Sequence, residues 1–179
     1  MRPVLRVLHT VRYRVGQFLQ ACFGVVAEDE LELALSALPQ RARSLFRRQA
    51  RHDQRHALAV YRAVVAAGGT RPELLQAALL HDVGKGGGGA PLWVRGATVV
   101  LERLAPYYAA RLGQGPAEGW RRPFVAHAQH AEEGARRAEE AGCPPLTVSL
   151  IRCHQEPVAE VRTEEDDLLA ALQAADGRS

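Results

Sequence analysis

Leu75-Gln76-Ala77-Ala78-Leu79-Leu80-His81-Asp82-Val83-Gly84-Lys85 is the stretch on which the reading of this chain turns, and Gly86-Gly87-Gly88-Gly89 follows it directly. Its first half is apolar enough to bury itself in a core. Thr70-Arg71-Pro72-Glu73, just ahead, reads as a helix start, with a Thr able to cap and Pro and Glu in the first turn. The helix so opened is expected to end at His81-Asp82. An imidazole and a carboxylate are costly to bury unpaired, so both need partners nearby, and a divalent metal would satisfy the two together. The run Gly86 to Gly89 cannot hold a helix at reasonable cost and reads as a flexible loop, either a lid over a site or a simple linker.

Outward from this stretch the chain reads as helix after helix. On the N-terminal side, Val4, Leu8, Val11, Val15, Phe18 and Cys22 form a helical stripe over residues 4 to 24. A helix packed on its own domain is the simpler account, and peripheral membrane contact through residues 1–24 is the alternative. Ala27-Glu28-Asp29-Glu30 places acidic residues at the start of a second helix, closed by Leu38-Pro39. A basic stretch from Arg41 to Arg51 leads into a helix over Asp53 to Val65, stopped by Gly68-Gly69. On the C-terminal side, helical periodicity covers Leu92 to Leu112, with a break or kink at Pro106, and then Phe124 to Ala141 and Leu146 to His154. Thr163-Glu164-Glu165-Asp166 caps a last helix through Asp176. No period-two alternation, internal repeat or linker interrupts the series, so the expected fold is all-α: one domain over 1–179, with a helical extension over 1–40 and a core over 41–179.

Composition narrows the function. At 179 residues, 47% hydrophobic and 24% charged, the chain has the make-up of a soluble globular protein. It lacks a run approaching the roughly 20 apolar residues that span a bilayer. Cys22, Cys143 and Cys153 are scattered without a C-x-x-C pair, which argues against a disulfide framework and a thiolate zinc knot; a cytoplasmic location with reduced cysteines follows. The net charge of +3 is mild and dispersed, and DNA is not an expected partner. Of 23 basic side chains, 22 are Arg, and the one Lys is Lys85, a compact point charge inside the most unusual motif of the chain. Gly84-Lys85 does not belong to a P-loop, which would need Gly at 79 and Ser or Thr at 86, where Leu79 and Gly86 stand.

A second His-Asp pair, His52-Asp53, lies in a wholly polar setting and reads as a solvated helix end. His81-Asp82 terminates a buried helix, and imidazole with carboxylate suits zinc, iron, nickel or manganese. His56, then His81-Asp82, then Asp176 after Ala174-Ala175 resembles the H…HD…D signature of the HD-domain superfamily of metal-dependent phosphohydrolases, over roughly residues 50 to 179. His130, in an H-x-x-x-G run ending at Gly134, and His154 extend the likeness to the two-metal form.

The resemblance implies an HD-domain-like helical bundle in which His56, His81, Asp82, His130, His154 and Asp176 ligate one or two divalent ions (Fe, Mn, Zn, Ni or Mg), with Asp82 as the bridge. It also implies hydrolysis of a phosphoester or phosphoanhydride, of a nucleotide above all, through a metal-activated water. Asp82 and Lys85 would be catalytic, Lys85 stabilising the transferred phosphoryl group, and Lys85 and His127 would contact substrate. Gln155 stands where the cyclic-dinucleotide branch has a second His, and the GYP signature is missing, which points away from that substrate. The alternative is a non-catalytic HD module that binds a nucleotide signal or a protein partner. Substrate choice is expected from the glycine loop and from residues around Trp93, Tyr107, Trp120 and Arg121.

Overall fold

Turn and cap chemistry sets several of the helix ends among the described residues. The structure, a computed structural model, describes residues 28–85, 101, 104–115, 119–158 and 160–179. Eight α-helices run through them: α1 (Glu28–Ser36), α2 (Gln40–Arg48), α3 (Arg51–Ala66), α4 (Pro72–Leu80), α5 (Pro106–Leu112), α6 (Arg122–Glu140), α7 (Pro145–Cys153) and α8 (Glu164–Asp176). Short 3-10 turns occupy Val83–Lys85 and Gly119–Arg121. There is no strand among the described residues, and the fold is all-α. None of the described helices is long and apolar enough to cross a membrane. The stripe at residues 4 to 24, the Gly86 to Gly89 loop and Leu92 to Val100 lie outside the described residues.

The caps explain the boundaries. Thr163 accepts from the Asp166 N–H at 3.1 Å while the Asp166 carboxylate accepts from the Thr163 N–H at 2.9 Å, a reciprocal capping box at the start of α8. After α3 and after α6 the chain turns out through a left-handed glycine, Gly68 (φ +86°) and Gly142 (φ +83°). At each, the residue beyond the glycine donates back into the last turn, Gly69 to Val64 O and Cys143 to Ala138 O, both at 3.0 Å. Pro106 is a break: Ala105 separates the helical Leu104 from α5.

Two boundaries differ from the sequence reading. Thr70 does not cap α4; Arg71 holds the N-cap position without a side-chain cap bond, and its guanidinium reaches Glu73 and Glu164 instead. The basic stretch and the following helix are divided at Gln49-Ala50, because the buried Gln49 turns inward and its Nε2 donates to Leu79 O at 3.3 Å. Gln54 Nε2 then satisfies Gln49 O at 2.8 Å, so the break leaves that carbonyl paired.

Helix α4 lies at the centre. Leu74, Ala77, Ala78, Leu79 and Leu80 are all buried, and the helix packs against α3, α7 and α8. Burial of each leucine contributes about 1.5–3 kcal/mol. Gln76, a polar residue on this apolar helix, is paired at both ends: its Nε2 donates to Ala37 O at 3.0 Å and its Oε1 accepts from Thr147 Oγ1 at 3.1 Å. Leu35, Phe46, Leu58, Leu150, Ile151 and Leu172 complete one continuous core, to which α1 contributes Ala34 and Leu35. The 3-10 turn beyond α4 is pressed against α6 so closely that a Cβ on Gly84 would stand 1.9 Å from His130 O.

Candidate metal centre

The end of α4 places His81 and Asp82 at the convergence of four helices. His81 follows the last helical residue with its N–H still bonded to Ala77 O at 2.8 Å, and the chain tightens into the Val83–Lys85 turn. Asp82 is thereby fixed in the interior. His56 comes from the middle of α3, His130 from α6, His154 from the residue that ends α7, and Asp176 from the last residue of α8.

The two oxygens of Asp82 face two separate groups. Oδ2 lies 3.6 Å from His81 Nε2 and 4.0 Å from His56 Nε2. Asp176 Oδ1 closes this first group, 2.8 Å from His56 Nε2 and 3.7 Å from His81 Nε2. Oδ1 lies 3.5 Å from His130 Nε2 and 4.0 Å from His154 Nε2, and those two nitrogens are 3.3 Å apart. Ligand atoms about 2.1 Å from a shared ion stand about 3.4 Å from one another in a tetrahedral site, so both groups have separations of the right size. His56, His81 and Asp82, and again Asp82, His130 and His154, each offer ligand atoms within 4.8 Å of one another. The described chain thus has clusters able to hold a metal ion.

Three of the imidazoles are oriented in the same way. His81 Nδ1 contacts Ala78 O at 3.1 Å, His130 Nδ1 contacts His127 O at 2.5 Å, and His154 Nδ1 contacts Ile151 O at 2.7 Å. Each carbonyl lies three residues earlier, because a helical side chain leans back over the preceding turn. A carbonyl accepts only, so Nδ1 is the nitrogen that carries the proton in the neutral form of each ring, which leaves Nε2, on the Asp82 side, as the nitrogen that a metal ion could take. His81 Nε2 is fully enclosed and has no hydrogen-bond partner. Leaving such a group unpaired costs about 1–3 kcal/mol, and a divalent ion held by His81 and its neighbours would remove that cost.

Electrostatics agree with ligation. Burial, aided by the other imidazoles, pushes His154 down to about 4, and burial likewise lowers His81, so both are neutral near pH 7. Burial opposes the charge on Asp82, but His81, His130 and Lys85 outweigh it and hold the carboxyl well below its usual range. For His56 burial is again the largest influence and acts downward; the Asp176 hydrogen bond with the charges of Asp82 and Asp176 overcomes it, and the pKa rises above the ordinary 6.5. Asp176 moves the opposite way, lowered by His56 and His81 against its own burial.

A sign follows for each state. Without metal, the charged His56–Asp176 pair contributes stability that is complete between 3.8 and 6.5, is lost as pH rises through the raised His56 value, and is lost again as pH falls through the lowered Asp176 value. Ligation of a metal by His56 would require its neutral form and would run the other way, so affinity should fall by about tenfold per pH unit below the raised value. Manganese titrations of the wild-type chain from about pH 6 to about pH 8 check this. The dependence should flatten in His56→Gln.

The remaining expected residues fall in different places. Lys85 sits at the rim with Nζ 2.5 Å from Asp82 Oδ2, its side chain 26% exposed. His127 supports the cluster through its backbone, as the acceptor for His130 Nδ1, and its ring lies 5.5 Å from that of His130. Asp53 is buried, with Oδ1 3.2 Å from His52 Nε2, so the second His-Asp pair is not a solvated helix end. Arg121, expected on a pocket wall, instead donates to Arg111 O, Leu112 O and Gln114 O and closes the end of α5. Cys143 is a core residue, its thiol pushed up to about 11 by burial. Gly84 and Gly134, which let the Asp82 turn and α6 meet, were not read from the sequence as site residues; their common signal is a glycine within a turn of a ligand.

No family model, curated protein or solved structure matches this chain.

Proposed function

We propose that the chain is a metal-dependent phosphohydrolase of HD type, acting on a phosphoester or phosphoanhydride of a small substrate, a nucleotide first among them. The observation that carries the reading is Asp82, whose two oxygens each face their own set of metal-competent side chains. Held by His56, His81, Asp82 and Asp176 and by Asp82, His130 and His154, divalent ions would supply Lewis acidity and an activated water near neutral pH.

The chain's own residues add direction and charge. His130 and His154 are buried, whereas the side chains of His56 and Asp176 are 32% and 38% exposed, so substrate would enter on the His56, Asp176 and Lys85 side. An anionic substrate approaching there would meet the positive charge of Lys85 at the rim. Its flexible ammonium can release Asp82 and follow charge as it builds on a phosphoryl oxygen. His127, one turn before His130, is a candidate substrate contact beside the second group.

The test is metal analysis with a hydrolysis screen over nucleotides, dinucleoside polyphosphates and simple phosphomonoesters. Turnover that requires added divalent metal and falls by at least about a hundredfold in His81→Ala is expected. Tight metal binding with no turnover on any of them would favour a module that only binds its nucleotide. A chain that takes up no metal would sink both readings.

A further inference from the structure

The helix that carries Asp176 also reaches the second group of ligands. One turn before Asp176, on the same face of α8, Gln173 extends its Nε2 to two backbone carbonyls, His154 O at 3.1 Å and Glu156 O at 2.6 Å. These belong to the turn that follows α7. His154 is the first residue beyond the helix, where carbonyls lack intrahelical donors, and within the turn Glu156 N–H donates to Cys153 O at 2.8 Å. The His154 ring is oriented by Ile151 O, but the place of the residue itself depends on how its turn is held. Gln173 holds it from α8, so one helix supplies a ligand to the first group and an anchor to the second.

We propose that Gln173 is a positioning residue for the second ion position: it fixes the His154 turn, through two donated hydrogen bonds, at the distance from Asp82 that lets an ion sit between Asp82, His130 and His154. This rests on the metal-centre reading above. Without Gln173 the centre keeps its first ion and loses hold of the second. Such supporting hydrogen bonds change metal affinity by about 10–100-fold when removed, without the supporting residue touching the ion.

The experiment uses the full chain, stripped of metal and titrated with Mn²⁺, in wild type, Gln173→Met and Gln173→Glu. Met keeps length and helix propensity with no donor; Glu keeps shape but turns an acceptor toward the carbonyls, and guards against a change peculiar to Met. Circular dichroism verifies that each variant is folded. Calorimetry should give two Mn²⁺ per wild-type chain, with a spin-coupled electron paramagnetic resonance spectrum. In both variants the first ion should bind as in wild type, the second about 10–100-fold more weakly, and the spectrum at one equivalent and just above should be that of an isolated Mn²⁺. Folded variants that bind two ions at wild-type affinity with a coupled spectrum overturn the inference and leave the metal centre standing. Equal weakening of both ions also overturns it. A wild-type chain that binds no Mn²⁺, or one, overturns the two-ion reading and the inference with it.

Discussion

Asp82→Asn is expected to weaken both ion positions at once and to lower hydrolysis by on the order of a thousandfold or more. The substitution conserves volume, so the core around α4 keeps its shape. What changes is the bridge: an amide offers one neutral oxygen where Asp82 presents Oδ2 to His56 and His81 and Oδ1 to His130 and His154. The loss should exceed that of any single histidine, since each histidine serves one group. Thermal melting gives a readout apart from activity. A divalent ion at a hundredfold excess over its Kd stabilises the fold by about 2.7 kcal/mol, about 5 to 10 °C for a chain of this size. Wild type should show that rise on adding metal and Asp82→Asn should not. An equal rise in the two proteins would remove Asp82 from the site.

Gly84→Ala is expected to be the most damaging small substitution among the described residues. An added Cβ would stand 1.9 Å from His130 O and 2.6 Å from Gly134 N, and both obstacles are backbone of α6. No side-chain rotation relieves such a contact. Overpacking of this kind costs about 3 kcal/mol, or about 6 to 12 °C in Tm. The damage should also be chemical, because moving α6 carries His130 away from Asp82 and weakens the second ion more than the first. Gly134→Ala provides the contrast. Its Cβ would lie 3.3 Å from Gly84 N and from Ile151 Cγ2, a fit that a few tenths of an ångström can accommodate. Melting curves and Mn²⁺ titrations of the two variants should therefore differ clearly. Equal, small effects would contradict the close approach of turn and helix.

The parts of the fold that depend on local chemistry were legible in the residues. The Thr163 capping box, the glycine stops after α3 and α6, and the apolar run of α4 ending in His81-Asp82 are properties of a few neighbouring side chains. The candidate set was legible because His56, His81, Asp82, His130, His154 and Asp176 occur in an order that resembles a known pattern, and the structure gathers them into two groups that share Asp82. What could not be read depends on long-range contact. Gln49 breaks the α2–α3 helix because of a carbonyl 30 residues away, and Gln173 matters because of a turn 17 to 19 residues earlier. The surroundings of Arg121 were expected to form pocket wall, whereas its guanidinium donates to three carbonyls 7 to 10 residues earlier. The Thr70 cap failed for a subtler reason: Pro72 fixes the first turn by itself, and the N-cap position falls on Arg71.

Crystals grown with Mn²⁺ and measured for anomalous scattering address the central claim most directly. Two peaks flanking Asp82 are expected, one among His56, His81 and Asp176 and the other between His130 and His154, about 3.5–4 Å apart. No peak beside Asp82, or a peak held by residues outside this set, would contradict the account.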